Sequence, residues 1–361
     1  MTLAVLTSGG DAPGMNAAVR AVVRVAAARG VPTVGIERGY QGLLDGRTRP
    51  LSREVDGQLT STAEVELNAG LGGSFLGTAR CRAFYEPEGR AEAARRAEAY
   101  DGLVVIGGNG SLAGAHALAE EHAVPVVGVP ASIDHDIGCT SSAIGVDSAL
   151  NTIVEACDRI SDTARAHRRA FLVEVMGRRS GYLCMAGAIA AGADAALFRE
   201  QGRSEAQIVD DVASLVRRSF GADPDRQRVL ILKAEGVEVP STKLVRQVQA
   251  ILADVLERDG ISIRATVLGH LVRGGSPSFH DRILASRLGR AAVEALVDGR
   301  GDLMAAWQPP VVGGEVTVDH SVQLFGLRKV LRETEALLDG SSAVTKQRVA
   351  LMERAAGVLA L

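Results

Sequence analysis

Asp134 and Asp136, separated by one residue, are the pair of side chains in this sequence best suited to chemistry. They follow an apolar run over residues 124–129 that predicts a short buried strand, and Ser132 adds a hydroxyl group beside them. Side chains two apart in an extended loop project to the same side, which allows both carboxylates to face one reacting centre. One carboxylate would take a proton from an alcohol while the other sets the local charge or holds a cation. For this segment alone, the alternative is an ordinary turn in which the Asp and Ser side chains bond nearby backbone groups.

Two further strand ends carry glycine-rich loops. The apolar residues 2–6 predict a strand that leads into a glycine-rich stretch over residues 7–16 and then a helix. A second predicted strand, residues 101–106, ends in the sequence Gly107-Gly108-Asn109-Gly110-Ser111. Backbone N–H groups in such loops approach a phosphate closely, although each loop alone is equally consistent with a tight turn. Because ligands bind at the carboxyl edge of an open α/β sheet, we expect the three loops to form one ligand site.

Arginines beside predicted strands point to phosphate binding. The net charge of -3 gives the chain no general attraction to nucleic acid or to anionic membranes, so anion binding must come from local clusters. A guanidinium group offers a planar fork of donors matched to phosphate oxygens. His270 has no partner at metal-ligand spacing, and both a structural hydrogen bond and a ligand contact remain open for it. The arginines concerned are Arg80, Arg169, Arg178, Arg264 and Arg273. Together with the aspartates they suit phosphoryl transfer, which needs positioning, charge neutralisation and a proton acceptor.

The order of predicted elements indicates the fold class. Strands and helices alternate along the 361 residues, which favours an α/β fold with mainly parallel sheets and helices on both faces. Among the elements, the pattern predicts helices over residues 138–162 and 241–258 and a turn-rich stretch over residues 308–320. A chain of this length exceeds what one hydrophobic core usually holds, so we expect two domains. The larger would comprise residues 1–144 with 270–320, and the smaller residues 145–269 with 321–361. The site would lie between them.

The sequence also indicates where the protein works. The four cysteines have neither metal-binding nor disulfide-framework spacing, which suits reduced thiols in a cytoplasm. The apolar run at residues 3–6 is too short for a signal peptide, and no segment approaches the ~20 apolar residues of a membrane span. We therefore expect a soluble cytoplasmic protein that binds neither membranes nor nucleic acid.

Six segments, in the same order along the chain, resemble the phosphofructokinase family. They cover residues 6–18, 77–80, 106–111, 132–136, 173–178 and 264–288. The resemblance implies transfer of the γ-phosphoryl group of ATP to the 1-hydroxyl of fructose 6-phosphate, giving fructose 1,6-bisphosphate in glycolysis, with Mg²⁺. It also implies that the larger domain binds the donor and the smaller domain the sugar phosphate.

The resemblance assigns roles residue by residue. Asp134 would be the base, and Ser132, Asp136 and Arg178 would position and neutralise the transferring phosphoryl group. Asn109 and Asp136 stand at the metal positions. The donor residues would be Gly10, Arg80, Cys81, Gly110, Ser111 and Gly114. The sugar-phosphate residues would be Arg169, Met176, Gly177, Glu235, Arg264, His270 and Arg273. The family's oligomers complete each sugar site with arginines from a neighbouring subunit, so Arg169 and Arg264 imply a homo-oligomer, by resemblance a tetramer.

This sequence departs from the family pattern at several positions. Asn109 stands where the family usually has an aspartate that helps hold magnesium, and a neutral amide is a poorer ligand for this ion. Gly110 and Ala131 are small where pyrophosphate-using relatives have Asp and Lys, which favours ATP as the donor. Ser161 and Asp194 replace two residues expected in the effector site of bacterial relatives, which leaves regulation open.

Asn109 keeps two alternatives open. One is an enzyme of this type that acts on another sugar phosphate, and the other is a weakly catalytic paralogue that regulates a partner. Retention of Asp134, Asp136 and Arg178 argues against the second.

Overall fold

The computed structural model describes residues 1–222, 225–308, 315–316, 322–346 and 349. The chain divides into two compact units. Unit 1 comprises Met1–Ser148 and Arg273–Leu337, and unit 2 comprises Ala149–Val272 together with the described residues from Leu338 onward. Within the described residues, no helix is both long and apolar enough to cross a membrane.

Strands and helices alternate along most of both units, as the sequence predicted. In chain order the strands are β1 Leu3–Ser8, β2 Thr33–Ile36, β3 Thr48–Pro50, β4 Ser52–Val55, β5 Gln58–Ser61, β6 Gly102–Gly107, β7 Val126–Pro130, β8 Arg169–Val175, β9 Ala195–Leu197, β10 Arg228–Ala234, β11 Ser262–Val267, β12 Leu303–Trp307, β13 Glu315–Val316 and β14 Val322–Gly326. The α-helices are α1 Met15–Ala28, α2 Gly39–Asp45, α3 Ala63–Asn68, α4 Pro87–Ala97, α5 Asn109–His122, α6 Val146–His167, α7 Tyr182–Ala190, α8 Glu205–Ala222, α9 Ser241–Ile251, α10 Ala253–Asp259, α11 Phe279–Val297 and α12 Leu327–Asp339. Short 3₁₀ helices cover Ala83–Tyr85, Arg199–Gln201 and Gly269–Arg273. In the part of the chain that the structure describes, β3–β5 follow one another without a helix, and so do β12–β14.

Unit 1 is built on an eight-stranded mixed sheet in the order β13-β14-β12-β7-β6-β1-β2-β3. The central pairs from β12 to β2 are parallel, whereas β3, β13 and β14 pair antiparallel at the two sides. Every residue of β1 and β6 is buried. Because successive side chains of a strand point to opposite faces, burial of all of them means that both faces of the sheet are covered.

Unit 2 contains a four-stranded parallel sheet in the order β11-β8-β10-β9. Its core joins Leu172 and Ile231 of the sheet to Val212 of α8 and Leu244 of α9, all at most 3% exposed. The prediction of an α/β fold with mainly parallel sheets is confirmed in both units.

The chain passes from one unit to the other at three points, and the last of these differs from the one expected. The chain passes between units after Ser148 and after Val272, near the expected residues 144 and 270, but the last boundary follows Leu337 rather than residue 320. The reason is that β14 pairs antiparallel with β12, while Thr334 of α12 accepts a hydrogen bond from the backbone N–H of Gly138 at 2.9 Å. Residues 322–337 therefore belong to unit 1. Most of the predicted turn-rich stretch at residues 308–320 lies outside the described residues.

Two predicted helices have different bounds. A helix was expected over residues 138–162, but α6 begins at Val146, because Cys139 and Gly145 have φ angles of 63° and 102° that an α-helix cannot contain. The single helix expected over residues 241–258 is divided into α9 and α10 at Leu252.

Candidate functional site

The carboxyl ends of β1, β6 and β7 lie side by side, because these strands are parallel neighbours in the sheet of unit 1. The loops that follow them surround a cavity of about 480 Å³. The convergence expected from the sequence is therefore observed. Of the predicted site residues, the cavity is lined by Gly10, Arg80, Cys81, Asn109, Gly110, Ser111, Gly114, Ser132, Asp134, Asp136 and Arg273.

The loop after β1 is held by an arginine from far along the chain. Nη1 of Arg273 donates a hydrogen bond to the carbonyl oxygen of Asp11 at 2.9 Å. A Cβ atom placed on Gly10 would lie 2.9 Å from this same nitrogen, so a larger residue there would displace the guanidinium group. The guanidinium group of Arg273 also lines the cavity, which makes it available to an anionic ligand.

The loop after β6 leads directly into α5, whose first residue is Asn109. Nδ2 of Asn109 donates a hydrogen bond to Oδ2 of Asp136 at 2.8 Å. Oδ1 of Asn109 and Oγ of Ser111 are buried and have no hydrogen-bond partner among the described residues. A buried polar atom without a hydrogen-bond partner costs free energy of folding. Both residues line the cavity at the N-terminus of α5, where the helix dipole favours an anion. Both atoms thus mark a place where a polar ligand would complete the structure.

The loop after β7 presents its polar side chains on one side. Ser132, Asp134 and Asp136 are partly exposed and line the cavity, whereas the alternating Ile133 and His135 are buried. Oγ of Ser132 donates a hydrogen bond to Oδ1 of Asp136 at 3.2 Å. The carboxylate of Asp136 thus accepts one hydrogen bond from Ser132 and one from Asn109, which fixes its orientation.

The other end of the cavity is aromatic, and sequence reasoning missed it. The rings of Tyr40 and Phe84 are stacked with centroids 4.1 Å apart, and the Tyr40 hydroxyl donates to the carbonyl oxygen of Ser111 at 2.6 Å. Burial raises the pKa of Tyr40 far above its usual value, so its hydroxyl stays protonated as a donor. A Cβ atom on Gly114 would lie 3.0 Å from both rings, so this position needs a small residue. Apart from the residues of the loop after β1, the other cavity residues lie more than 30 positions after Tyr40 in the sequence. No local pattern links them to Tyr40.

Cys81 also lines the cavity, and its thiol group is largely buried. Burial raises its pKa, and the nearby Asp45 carboxylate raises it further, while backbone N–H groups of Phe84 and Ala83 act in the opposite direction. A thiol with a raised pKa is poorly nucleophilic. Cys81 therefore suits contact with a ligand rather than covalent chemistry.

The seven remaining predicted residues belong to unit 2. Met176, Gly177 and Arg178 follow the carboxyl end of β8, Glu235 follows β10, and His270 lies just beyond β11. The parallel register brings these three strand ends together, and the backbone N–H of Glu235 donates to the carbonyl oxygen of Val175 at 2.9 Å.

The two arginines expected to reach a neighbouring subunit lie elsewhere in the same sheet. Arg169 begins β8, at the opposite end from Met176. Arg264 is exposed in the middle of β11, at the side of the sheet, in register with Phe171. Neither arginine joins the group at the carboxyl edge of this sheet.

The two expected metal positions, Asn109 and Asp136, lie on neighbouring loops of the cavity. Among the described residues, no group of three or more His, Cys, Asp and Glu side chains is placed to hold a metal ion. Magnesium is commonly held by one or two protein oxygens together with substrate phosphates. Asn109 and Asp136 carry side-chain oxygens of that kind, although Nδ2 rather than Oδ1 of Asn109 faces the carboxylate of Asp136.

Comparison with known proteins gives a consistent result. The family model described as Phosphofructokinase matches residues 2–296. An ATP-dependent 6-phosphofructokinase of Thermotoga neapolitana is 46% identical over 309 residues, which are 85% of this chain and 89% of that protein. ATP-dependent 6-phosphofructokinase 1 of Thermus thermophilus is 44% identical over 330 residues, which are 91% of this chain and 94% of that protein.

Solved structures that resemble this chain are also phosphofructokinases. The structure of phosphofructokinase from Saccharomyces cerevisiae matches with a TM-score of 0.75 and 32% identity, covering 96% of this chain but only 47% of the yeast chain. This chain thus spans about half the length of the yeast protein. A pyrophosphate-dependent phosphofructokinase of Marinobacter aquaeolei matches with a TM-score of 0.74 at 21% identity, over 91% of this chain and 84% of that chain, which is a likeness of fold alone.

Proposed function

The chain belongs to the phosphofructokinase family, and from this premise we propose that it is an ATP-dependent 6-phosphofructokinase. It transfers the γ-phosphoryl group of ATP to the 1-hydroxyl of fructose 6-phosphate and thereby forms fructose 1,6-bisphosphate in glycolysis. The observation that carries the proposal is the cavity of unit 1, in which a glycine-rich phosphate loop, a helix N-terminus and the Asp134–Asp136 pair meet.

The residues that line the cavity suit the phosphate groups and the base of the donor nucleotide. The backbone around Gly10 and the N-terminus of α5 at Gly110 and Ser111 suit phosphate groups, and Arg80 adds positive charge. Arg273, which the resemblance assigned to the sugar phosphate, lines the same cavity and adds a second positive charge. Tyr40 and Phe84 with Gly114 form a flat apolar wall suited to a purine base. A Cβ atom on Gly110 would meet nothing within 4 Å, which leaves room for the α-phosphate of ATP.

The chemistry assigned to the chain's own side chains is proton removal and charge placement. Asp134 accepts the proton from the 1-hydroxyl of fructose 6-phosphate, a step in which a carboxylate base typically contributes about 10²- to 10⁴-fold. Ser132 and Asn109 hold the carboxylate of Asp136 in one orientation. Magnesium, when bound at Asp136 and Asn109, supplies positive charge that offsets the charge of the donor phosphates.

Residues of unit 2 are proposed to bind the sugar phosphate. Arg178 would neutralise the transferring phosphoryl group, on the strength of the family resemblance. Support for a sugar-phosphate site at the carboxyl edge of the smaller sheet is the grouping there of Met176, Gly177, Glu235 and His270. Parallel α/β sheets bind ligands at this edge.

We further propose that the enzyme is a homotetramer in the cytoplasm. Arg169 and Arg264 stand apart from the carboxyl edge and are therefore suited to completing the site of a neighbouring subunit. The four cysteines form no disulfide, which suits a reducing compartment. Sedimentation velocity at assay concentration tests the assembly, and a fully active monomer would contradict it.

A coupled kinase assay tests the proposed reaction. Purified protein is offered ATP or pyrophosphate with magnesium and a panel of sugar phosphates. We expect the highest kcat/KM for ATP with fructose 6-phosphate. A higher value for another sugar phosphate would replace the substrate, and binding without turnover of any of them would favour the regulatory paralogue.

A further inference from the structure

Unit 2 contains a buried lysine that the proposed reaction does not use. Lys233 in β10 is 1% exposed. Its Nζ atom lies 3.0 Å from Oε2 of Glu174, its register partner in the neighbouring strand β8. A buried ammonium group is costly unless it is both paired and hydrogen-bonded. The pair therefore restricts how β8 and β10 meet at their carboxyl ends.

The hydrogen bonds of this pair extend beyond the two strands. Nζ of Lys233 also donates to the carbonyl oxygen of Ala234 at 3.3 Å. Oε2 of Glu174 also accepts from Oγ of Ser241, the first residue of α9, at 2.5 Å. The backbone carbonyl of Glu174 accepts from the N–H of Leu268, just after β11, at 2.9 Å. Glu174 is thus bonded to β10, to α9 and to the segment after β11.

The carboxyl ends of β8, β10 and β11, which Glu174 joins through its side chain and its backbone, lead into the segments that carry the proposed sugar-phosphate residues. The chain continues from Glu174 to Met176 and Gly177, from Lys233 to Glu235, and from Leu268 to His270. Beyond the pair itself, the backbone N–H of Gly236 donates to the carbonyl oxygen of Gly177 at 3.2 Å, so the segments after β8 and β10 remain in contact.

We propose that Lys233, Glu174 and Ser241, which we call the loop-base cluster, position these three segments for binding of the sugar phosphate. The inference rests on the proposed substrate, fructose 6-phosphate. Charge-assisted hydrogen bonds have narrow geometry, so the cluster fixes where each segment leaves the sheet. Fixing the segments before the ligand arrives lowers the cost of ordering them on binding. The cluster acts through its neighbours and does not itself contact the substrate.

The test separates positioning from a merely structural role. Lys233→Met removes the ammonium group and keeps the apolar stem. The double variant Lys233→Met/Glu174→Gln removes both charges, so no lone charge remains buried, yet it cannot restore the hydrogen bond to the Ala234 carbonyl. Lys243→Met is the matched control, because Lys243 lies in α9, is 53% exposed and pairs with Glu205. Each protein is measured by thermal unfolding and by calorimetric titration with fructose 6-phosphate and, separately, with a non-hydrolysable ATP analogue.

We expect the Kd for fructose 6-phosphate to rise by about ten- to a hundredfold in both cluster variants, since misplacement by about 1 Å can have effects of that size. The Kd for the ATP analogue should stay at the wild-type value, because the cavity proposed for it lies in unit 1. The double variant should recover thermal stability relative to Lys233→Met but should not recover sugar-phosphate affinity. If Lys233→Met does not fold, the double variant carries the test alone.

Two results would overturn the inference. A folded cluster variant with the wild-type Kd for fructose 6-phosphate would leave the cluster a structural role only. Equal losses of affinity for both ligands would indicate a general loss of structure. Failure of the wild type to bind fructose 6-phosphate at all would instead remove the proposed substrate, and the inference with it, so the two failures are distinguishable.

Discussion

Asn109 donates a hydrogen bond from Nδ2 to Oδ2 of Asp136 at 2.8 Å, which joins the loop after β6 to the loop after β7. An aspartate at position 109 would place a second carboxylate against Asp136 and would need a cation or a proton between them. The amide needs neither, so the two loops are held together in the absence of a metal ion. The same amide leaves Oδ1 buried and without a hydrogen-bond partner among the described residues.

We expect the variant Asn109→Asp to need less magnesium than the wild type. The added negative charge strengthens attraction for the cation, while the wild type offers only a neutral oxygen at this position. The magnesium concentration for half-maximal rate should fall, and the rate at saturating magnesium should not fall. Without magnesium, the two carboxylates should repel each other, so the variant should also gain more thermal stability than the wild type when magnesium and ATP are added.

Two results would correct this view of position 109. An unchanged magnesium dependence of both rate and melting temperature would place the metal elsewhere. A wild type without transfer at any magnesium concentration, combined with transfer by Asn109→Asp, would favour the weakly catalytic paralogue.

The variant Asp134→Ser tests the proposed base. We expect kcat to fall by about 10²- to 10⁴-fold, the usual contribution of a positioned base. The Kd for fructose 6-phosphate should change little, because serine removes the proton acceptor and little of the surface. Asp339→Ser is the control, because Asp339 ends α12 and lies outside the cavity. Retention of wild-type kcat in Asp134→Ser would show that another group takes the proton.

The central part of this site could be predicted from the sequence, because the signals for it are local. Continuous apolar runs identified β1, β6 and β7, and glycines or aspartates directly after them marked the ligand loops. The pairing of Asn109 with Asp136 could not be predicted, because it depends on the order β7-β6-β1, which no local pattern states. Tyr40 and Phe84 were missed for the same reason, since their stacking depends on how α2 and a 3₁₀ helix pack.

The predicted start of α6 was wrong because the backbone leaves helical geometry there without a strong sequence signal. Cys139 has a φ of 63°, although cysteine gives no warning of such a conformation. The helix expected from residue 138 therefore starts at Val146. The last boundary of unit 1 lies later in the chain than predicted, because β14 joins the sheet of unit 1 by antiparallel pairing with β12. The apolar pattern of a short strand does not specify which strand it pairs with.

A carboxylate at position 110 tests how the donor is selected. A Cβ atom on Gly110 meets nothing within 4 Å, so Gly110→Asp should fold normally and place a negative charge in the cavity. Repulsion of the ATP phosphates should raise the KM for ATP by about tenfold or more, a change of roughly 1.4 kcal/mol. The melting temperature should not fall, because Gly110 lies in the first turn of α5, where the helix dipole favours a negative charge. Gly221→Asp, at another helical glycine with open space around its Cβ position, should leave the KM for ATP unchanged. An unchanged KM for ATP would show that the donor phosphates do not pass position 110.

Asp281 offers a stability test away from the reaction. Its side chain is fully buried in α11 and accepts hydrogen bonds from the backbone N–H groups of Gly145 and Ser148 at 2.9 and 2.8 Å, at the start of α6. The Ser148 hydroxyl donates to the same carboxylate at 2.6 Å. Asp281→Ala leaves these donors without their acceptor, which should lower the free energy of unfolding by about 1–3 kcal/mol per unsatisfied group. Asp298→Ala is the control, because Asp298 is 59% exposed at the end of the same helix.

The pH dependence of this loss follows from the direction of the pKa shift. Burial raises the pKa of Asp281 above its usual 3.8, and hydrogen bonds from Ser148 and Gly145 only partly oppose it. Between 3.8 and the raised value the folded state holds a proton that the unfolded state has released, so the stabilisation from Asp281 decreases as pH rises through that window. The difference in melting temperature between the wild type and Asp281→Ala should therefore be larger at pH 4.5 than at pH 8 in parallel thermal scans, while Asp298→Ala follows the wild type. A difference that grows with rising pH would mean that the hydrogen bonds outweigh burial and hold the pKa of Asp281 below its usual value.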